Sequence, residues 1–68
     1  MVWNNRGRML CFLQRYEAAL ESYEKALALD SENYYNWYSK AWVLDQLQRP
    51  QEAEEAHRQA EKLKPKGL

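Results

Sequence analysis

Cys11 and His57 are the two side chains of this 68-residue chain that invite a covalent mechanism. A thiol becomes a working nucleophile when an imidazole lies within hydrogen-bond reach and a third group orients that imidazole. Here the two stand in opposite halves of the chain, no orienting partner is evident, and no glycine-rich turn lies nearby. The simpler reading is a packed histidine and a small buried or groove-facing thiol. One Cys and one His are also too few soft ligands for a metal site, and no cofactor motif is present. The acidic run Glu52, Glu54, Glu55 reads as a solvated first turn near the positive end of a helix. Lys62, Lys64 and Lys66 read as a solubilising cluster at a helix C-terminus, where cations suit the dipole. No enzyme is expected.

Composition bounds what remains. The chain has room for one small domain, near the size at which a single core barely suffices. Apolar residues make up 46% and charged residues 29%, a balance that excludes a disordered segment. Ten basic and ten acidic residues cancel, so the basic excess of a nucleic-acid binder is missing. The longest apolar run, Met9–Leu13, falls far short of the roughly 20 residues that span a bilayer. The first residues lack an apolar signal core, and Cys11 has no second cysteine to pair with. Both features lead to the expectation of a reducing, cytoplasmic setting.

The elements that position these side chains come in two copies. A shift of 34 places matches Trp3 with Trp37, Leu10 with Leu44, Leu13 with Leu47, Gln14 with Gln48 and Arg15 with Arg49. It also matches Ala19 with Ala53, Glu21 with Glu55, Ala26 with Ala60 and Leu29 with Leu63, with Arg6/Lys40 and Gly7/Ala41 as near-matches. Most identities fall on apolar or small residues, as a repeated packing unit requires. Each copy reads as helix, turn, helix. Trp3, Gly7, Leu10 and Leu13 form one stripe, and Ala19, Leu20, Tyr23, Ala26, Leu27 and Leu29 the next. Asp30-Ser31-Glu32-Asn33 breaks the pattern and offers N-cap residues. Trp37, Ala41, Leu44 and Leu47 or Gln48 form the third stripe, on a helix expected over 33–48. Ala53, Ala56 or His57, Ala60 and Leu63 form the fourth, opened by Pro50 and stopped by Pro65 and Gly67. No strand pattern occurs, so the fold class is all-α.

These residues resemble the tetratricopeptide repeat, whose 34-residue pattern runs W-x2-L-G-x2-Y, then A-x3-F, then P. The first copy offers Trp3, Arg6, Gly7 and Leu10, then Ala19 and Tyr23, then Ser31; the second offers Trp37, Lys40, Ala41 and Leu44, then Ala53 and His57, then Pro65. The resemblance covers the chain as residues 1–33 and 34–68. It implies four helices in two antiparallel hairpins wound into a right-handed superhelix. Gly7, Ala41, Ala19 and Ala53 would let the helices approach closely. Arg6 and Lys40 replace a leucine, so their stems should lie along the hairpin with the charge in water. Ser31 weakens the stop between units, and His57 replaces a large aromatic, which implies a less demanding neighbour or none.

The resemblance also implies a protein-interaction role, with ligand held on the concave surface made by the first helix of each repeat. On the 33–48 helix, Tyr35, Tyr38 and Trp42 form a second apolar face, about 110° from the core stripe. The corresponding surface of the first helix carries Asn4, Arg8, Cys11 and Phe12. Asn4, Arg8, Phe12, Tyr35, Tyr38 and Trp42 are therefore the candidate groove residues for a peptide or protein partner. The alternative is that the aromatics pack on neighbouring helices. The family's carboxylate-capturing subgroup is matched only by Asn4, Arg8 and Ser39, without a third repeat, so the full clamp does not carry over. Two repeats leave the ends of the stack open, so a homo-oligomer or head-to-tail stack is expected, or a place within a longer array. A self-assembling module without a foreign ligand is the competing reading.

Overall fold

Alanine, leucine, glutamate and lysine, the strongest helix formers, fill the stretch after Arg15, and the chain is helical there and in three further segments. The computed structural model describes residues 2–64, with side chains from residue 4. It contains α1 (Val2–Phe12), α2 (Tyr16–Leu29), α3 (Tyr34–Gln46) and α4 (Pro50–Leu63), with no strand among the described residues. The expected packing of Trp3, the stop at Pro65 and Gly67 and the last lysine of the C-terminal cluster, Lys66, lie outside the described residues. Helices adjacent in sequence pack on one another across short turns, α1 on α2, α2 on α3 and α3 on α4, which makes each neighbouring pair antiparallel. The fold is all-α, built of helical hairpins.

The turns explain why the helices stop where they do. Gln14 and Gln48, the same position in each copy, adopt left-handed backbone with φ of 61° and 59°. Around Gln14, Arg15 N–H donates to the Leu10 carbonyl and Gln14 N–H to that of Cys11. Arg49 to Leu44 and Gln48 to Asp45 repeat the arrangement. These paired bonds satisfy carbonyls that the helix end would otherwise leave open. Gln48 is thus a turn residue and leaves the stripe expected of it, and α3 ends at Gln46 instead of 48. Asn33 caps α3, its side chain accepting from Asn36 N–H at 3.1 Å. Pro50 opens α4, and beside it Arg49 holds both oxygens of Glu52 at 2.7 and 2.8 Å. Glu54 and Glu55 pair with Arg58 at 3.4 Å, so the acidic run is a solvated surface.

The core is narrow because its residues are small. Ala19, Ala41, Ala53, Ala56 and Ala60 are buried with Leu20, Tyr23, Leu27 and Leu44. Val43 is fully buried although it lies outside the expected stripe. α3 packs between α2 and α4 and therefore needs two apolar sides, where a single-stripe reading supplies one. Leu29 at 77% exposure and Leu13 at 55% fall outside the core despite their periodic spacing. Lys40 lies over the Trp37 ring at 5.3 Å and reaches Glu24 at 3.6 Å, its stem against the hairpin as its place in the repeat suggested.

Gly7 sets the α1–α2 distance. A Cβ there would lie 2.8 Å from the ring of Tyr23, which is buried and cannot swing aside. Alanine is the better helix former by about 1 kcal/mol, but overpacking costs about 1–3 kcal/mol. Gly7→Ala should therefore destabilise the fold by about 1 kcal/mol in urea unfolding; a variant as stable as the parent would contradict the close approach. The turn makes the opposite prediction. Gln48→Gly relieves a left-handed side chain and should stabilise by about 0.5–1 kcal/mol, seen as a raised midpoint in the same assay.

Candidate functional site

The first-helix surface is built by α1 and α3 with α2 behind them. Arg8 and Cys11 from α1, Tyr38, Ser39 and Trp42 from α3 and Tyr23 from α2 line one hollow of about 250 Å³. A second, of about 650 Å³, is lined by Asn4, Arg8, Asn33, Tyr35, Tyr38 and Ser39. Arg8, Tyr38 and Ser39 belong to both, so the two form one continuous surface. Five of the candidate residues, Asn4, Arg8, Tyr35, Tyr38 and Trp42, come together on it. Phe12 lines neither of these hollows: it stands 82% exposed in a third, beside Asn5, Met9 and Arg8, the last of which also lines the other two.

The aromatic residues brace one another. Tyr34 stacks on Tyr38 with centroids 5.9 Å apart and meets the edge of Tyr35 at 5.4 Å. Trp42 meets Tyr16 of α2 edge-on at 5.9 Å. Such pairs are worth about 0.5–1.5 kcal/mol beyond burial, so the rings are held in place before anything binds. Tyr38 and Trp42 still keep 48% and 43% of their surface exposed. These rings pack on neighbours with one side and face water with the other.

Polar contacts fix the rest. The Asn4 amide donates to Asn36 Oδ1 at 2.6 Å, tying α1 to α3 across the repeat boundary. Asn36 is almost fully buried. It was invisible to the apolar pattern, which treats a polar residue as solvent-facing. At the floor of the smaller hollow the Tyr23 side chain lies with those of Ser39 and Cys11. Burial pushes the Tyr23 hydroxyl above its ordinary pKa, outweighing Ser39 and the nearby Arg8 charge. Burial likewise raises the Cys11 thiol, against its hydrogen bond with Tyr23. Ser39 and Cys11 follow from helical spacing with Tyr35, Trp42 and Arg8, but Tyr23 enters from a different helix, which no single-helix period reveals.

His57 is neither packed away nor part of this hollow. It lies 3.2 Å from Asp45 and edge-on to Tyr38 at 6.2 Å. Asp45 is thus an orienting group that the sequence pattern did not show. Cys11 lines the smaller hollow and His57 does not. A neutral thiol without a base beside it is a poor nucleophile. Among the described residues, no group of three His, Cys, Asp or Glu side chains could hold a metal ion, and no helix is long and apolar enough to cross a membrane.

The raised Cys11 and Tyr23 values carry a sign. Both acids bind their protons more tightly folded than unfolded, so they stabilise the fold below the unfolded values. That contribution is lost as pH rises through the folded ones. Stability should hold near neutrality and decline from about pH 8.5, where an unfolded thiol begins to ionise. Cys11→Ser should flatten the first part of that decline in melts across pH 7–11; an unchanged profile would count against a desolvated thiol.

Comparison with known families agrees with this architecture. Residues 1–33 match one model of the tetratricopeptide repeat and residues 22–55 match another. No curated protein and no solved structure gives a match. The two family matches run from α1 into the first turns of α4 and fall on the helical-hairpin architecture described above. The chain belongs to the tetratricopeptide repeat family.

Proposed function

We propose that this chain is a protein-interaction module that holds a peptide or protein segment on the surface formed by α1 and α3. Repeats of this family generally mediate protein–protein interaction, and the partner chemistry is written in the side chains of that surface. The observation that carries the reading is the joining of Arg8, Tyr38 and Trp42 around one hollow with half-exposed rings and a cation at its edge. Such a site takes a side chain flat against the aromatics while Arg8 engages an acceptor on the ligand. Asn4 and Tyr35 extend it along the larger hollow. Phe12 lies at the margin, sharing a hollow with Arg8. The poor nucleophile at Cys11 favours binding over turnover, and its lone thiol suits a reducing, cytoplasmic compartment.

A random peptide library displayed against the intact chain tests this. Binders should be enriched, and Trp42→Ala or Tyr38→Ala should weaken them by about tenfold or more. Sedimentation of the same variants tests the self-assembling alternative. Failure to enrich any binder, together with an oligomer that Trp42→Ala dissolves, would replace the ligand reading with self-assembly.

A further inference from the structure

Where α1 and α3 begin and α2 stops, the helices leave a cavity of about 430 Å³ between them. Asn4 of α1, Asn33 and Asn36 at the start of α3, and Asp30 just after α2 line it, with Ala26 and Leu29 of α2 as an apolar wall. Asn4 and Asn33 also line the larger hollow beside Arg8 and Tyr38, so the cavity continues the surface between α1 and α3. A polypeptide segment lying along that surface meets a cation at Arg8 and a carboxylate at Asp30.

The hydrogen bonds among these side chains decide what the cavity offers. Asn4 Nδ2 donates to Asn36 Oδ1 at 2.6 Å, and Asn33 Nδ2 donates to Asp30 Oδ2 at 3.4 Å. Asn33 Oδ1 is taken by the Asn36 N–H, as the cap of α3. Amide donors are thus committed within the cluster, while Asn4 Oδ1 and the Asp30 carboxylate keep the capacity to accept. The last turn of α2 holds no basic residue to neutralise that carboxylate. The negative end of α2 and the positive end of α3, each about half a charge, offset one another here. Asp30 therefore sets the sign of the field.

Spare acceptors in a negative field select a cationic donor. An ammonium is a strongly hydrated point charge, whereas a guanidinium is a flat fork that can hold a carboxylate with two N–H groups and still donate to an amide oxygen. Ala26 and the exposed Leu29 supply apolar surface for a methylene stem. We infer that this cavity is an arginine subsite, in which the guanidinium of a bound segment lies against Asp30 and Asn4 Oδ1. The inference rests on the proposed binding of a polypeptide between α1 and α3, which supplies the arginine. It also gives that segment a direction, with its arginine toward the start of α3 and its acceptor toward Arg8.

The probe is N-acetyl-arginine methylamide, titrated into the intact chain at constant ionic strength and followed by proton–nitrogen NMR. The side-chain amide signals of Asn4, Asn33 and Asn36 should shift saturably. The citrulline analogue, similar in shape but uncharged, should bind about tenfold more weakly, and the lysine analogue should also bind more weakly than arginine. Asp30→Asn should weaken arginine binding by about tenfold, with Asp30→Ser as the second variant if circular dichroism shows the first to be misfolded. Trp42→Ala should leave it within about twofold. No saturable shift, equal binding of either analogue, indifference to both Asp30 variants, or shifts confined to the Trp42 indole and the tyrosine rings would overturn the assignment. In the peptide library, binders should favour arginine, and Asp30→Asn should remove that preference without abolishing enrichment. Binders with no arginine preference would overturn the subsite and leave the wider binding surface standing. An arginine titration that succeeds where the library yields no binder would support the subsite and count against the wider surface.

Discussion

The close approach of Gly7 to the Tyr23 ring is the constraint on which the rest depends. Without a Cβ on α1, the two helices close until the ring fills the gap. The Tyr23 side chain is then delivered to Ser39 and Cys11, where it forms the floor of the hollow that Arg8 and Trp42 edge. One missing methyl group thus sets both the helix spacing and the depth of the binding surface. The second copy solves the same crossing differently. Ala41 occupies the Gly7 position and His57 the Tyr23 position, so a larger residue on one helix is matched by a smaller one on the other. With Asp45 as partner, His57 stays half in water, and no second floor is built there.

Much of this was legible in the sequence, for reasons that particular residues make clear. Helix content, turn positions and the small-residue crossings follow from local chemistry and from the 34-residue repeat. The N-cap at Asn33 and the proline at the start of α4 are short-range signals that need no tertiary information. Val43 and Asn36 were not legible, because their burial depends on which helices flank α3. A stripe analysis assumes one buried side, and α3 has two. Phe12 lies one turn beyond Arg8 on α1 and lines a third hollow with it, outside the two that Arg8 and Tyr38 share.

The two ends of the molecule are unequal although its copies are alike. Leu20, Glu24 and Leu27 of α2, whose leucines are buried, stand at the positions of Glu54, Arg58 and Glu61 of α4, all exposed. α4 keeps alanines toward α3, giving a helix with one apolar side and one charged side. Such a helix ends a stack without exposing a hydrophobic patch. A repeat sequence therefore specifies the position of each helix in the stack as well as its internal fold.

Packing that runs from each helix to the next has a kinetic meaning. The extensive interfaces join helices close in the chain, and the Asn4–Asn36 hydrogen bond ties α1 to α3. Folding then needs little long loop closure, and low contact order goes with rapid folding. The central pair α2 and α3 has a neighbour on both sides, so it is the natural nucleus, while α1 and α4 join from either flank. Amide protons around Val43 and Leu44 would then be the last to exchange, and those of α1 among the first. A ligand held between Arg8 and Trp42 would bridge α1 and α3, and so fasten together two helices that are not neighbours along the chain.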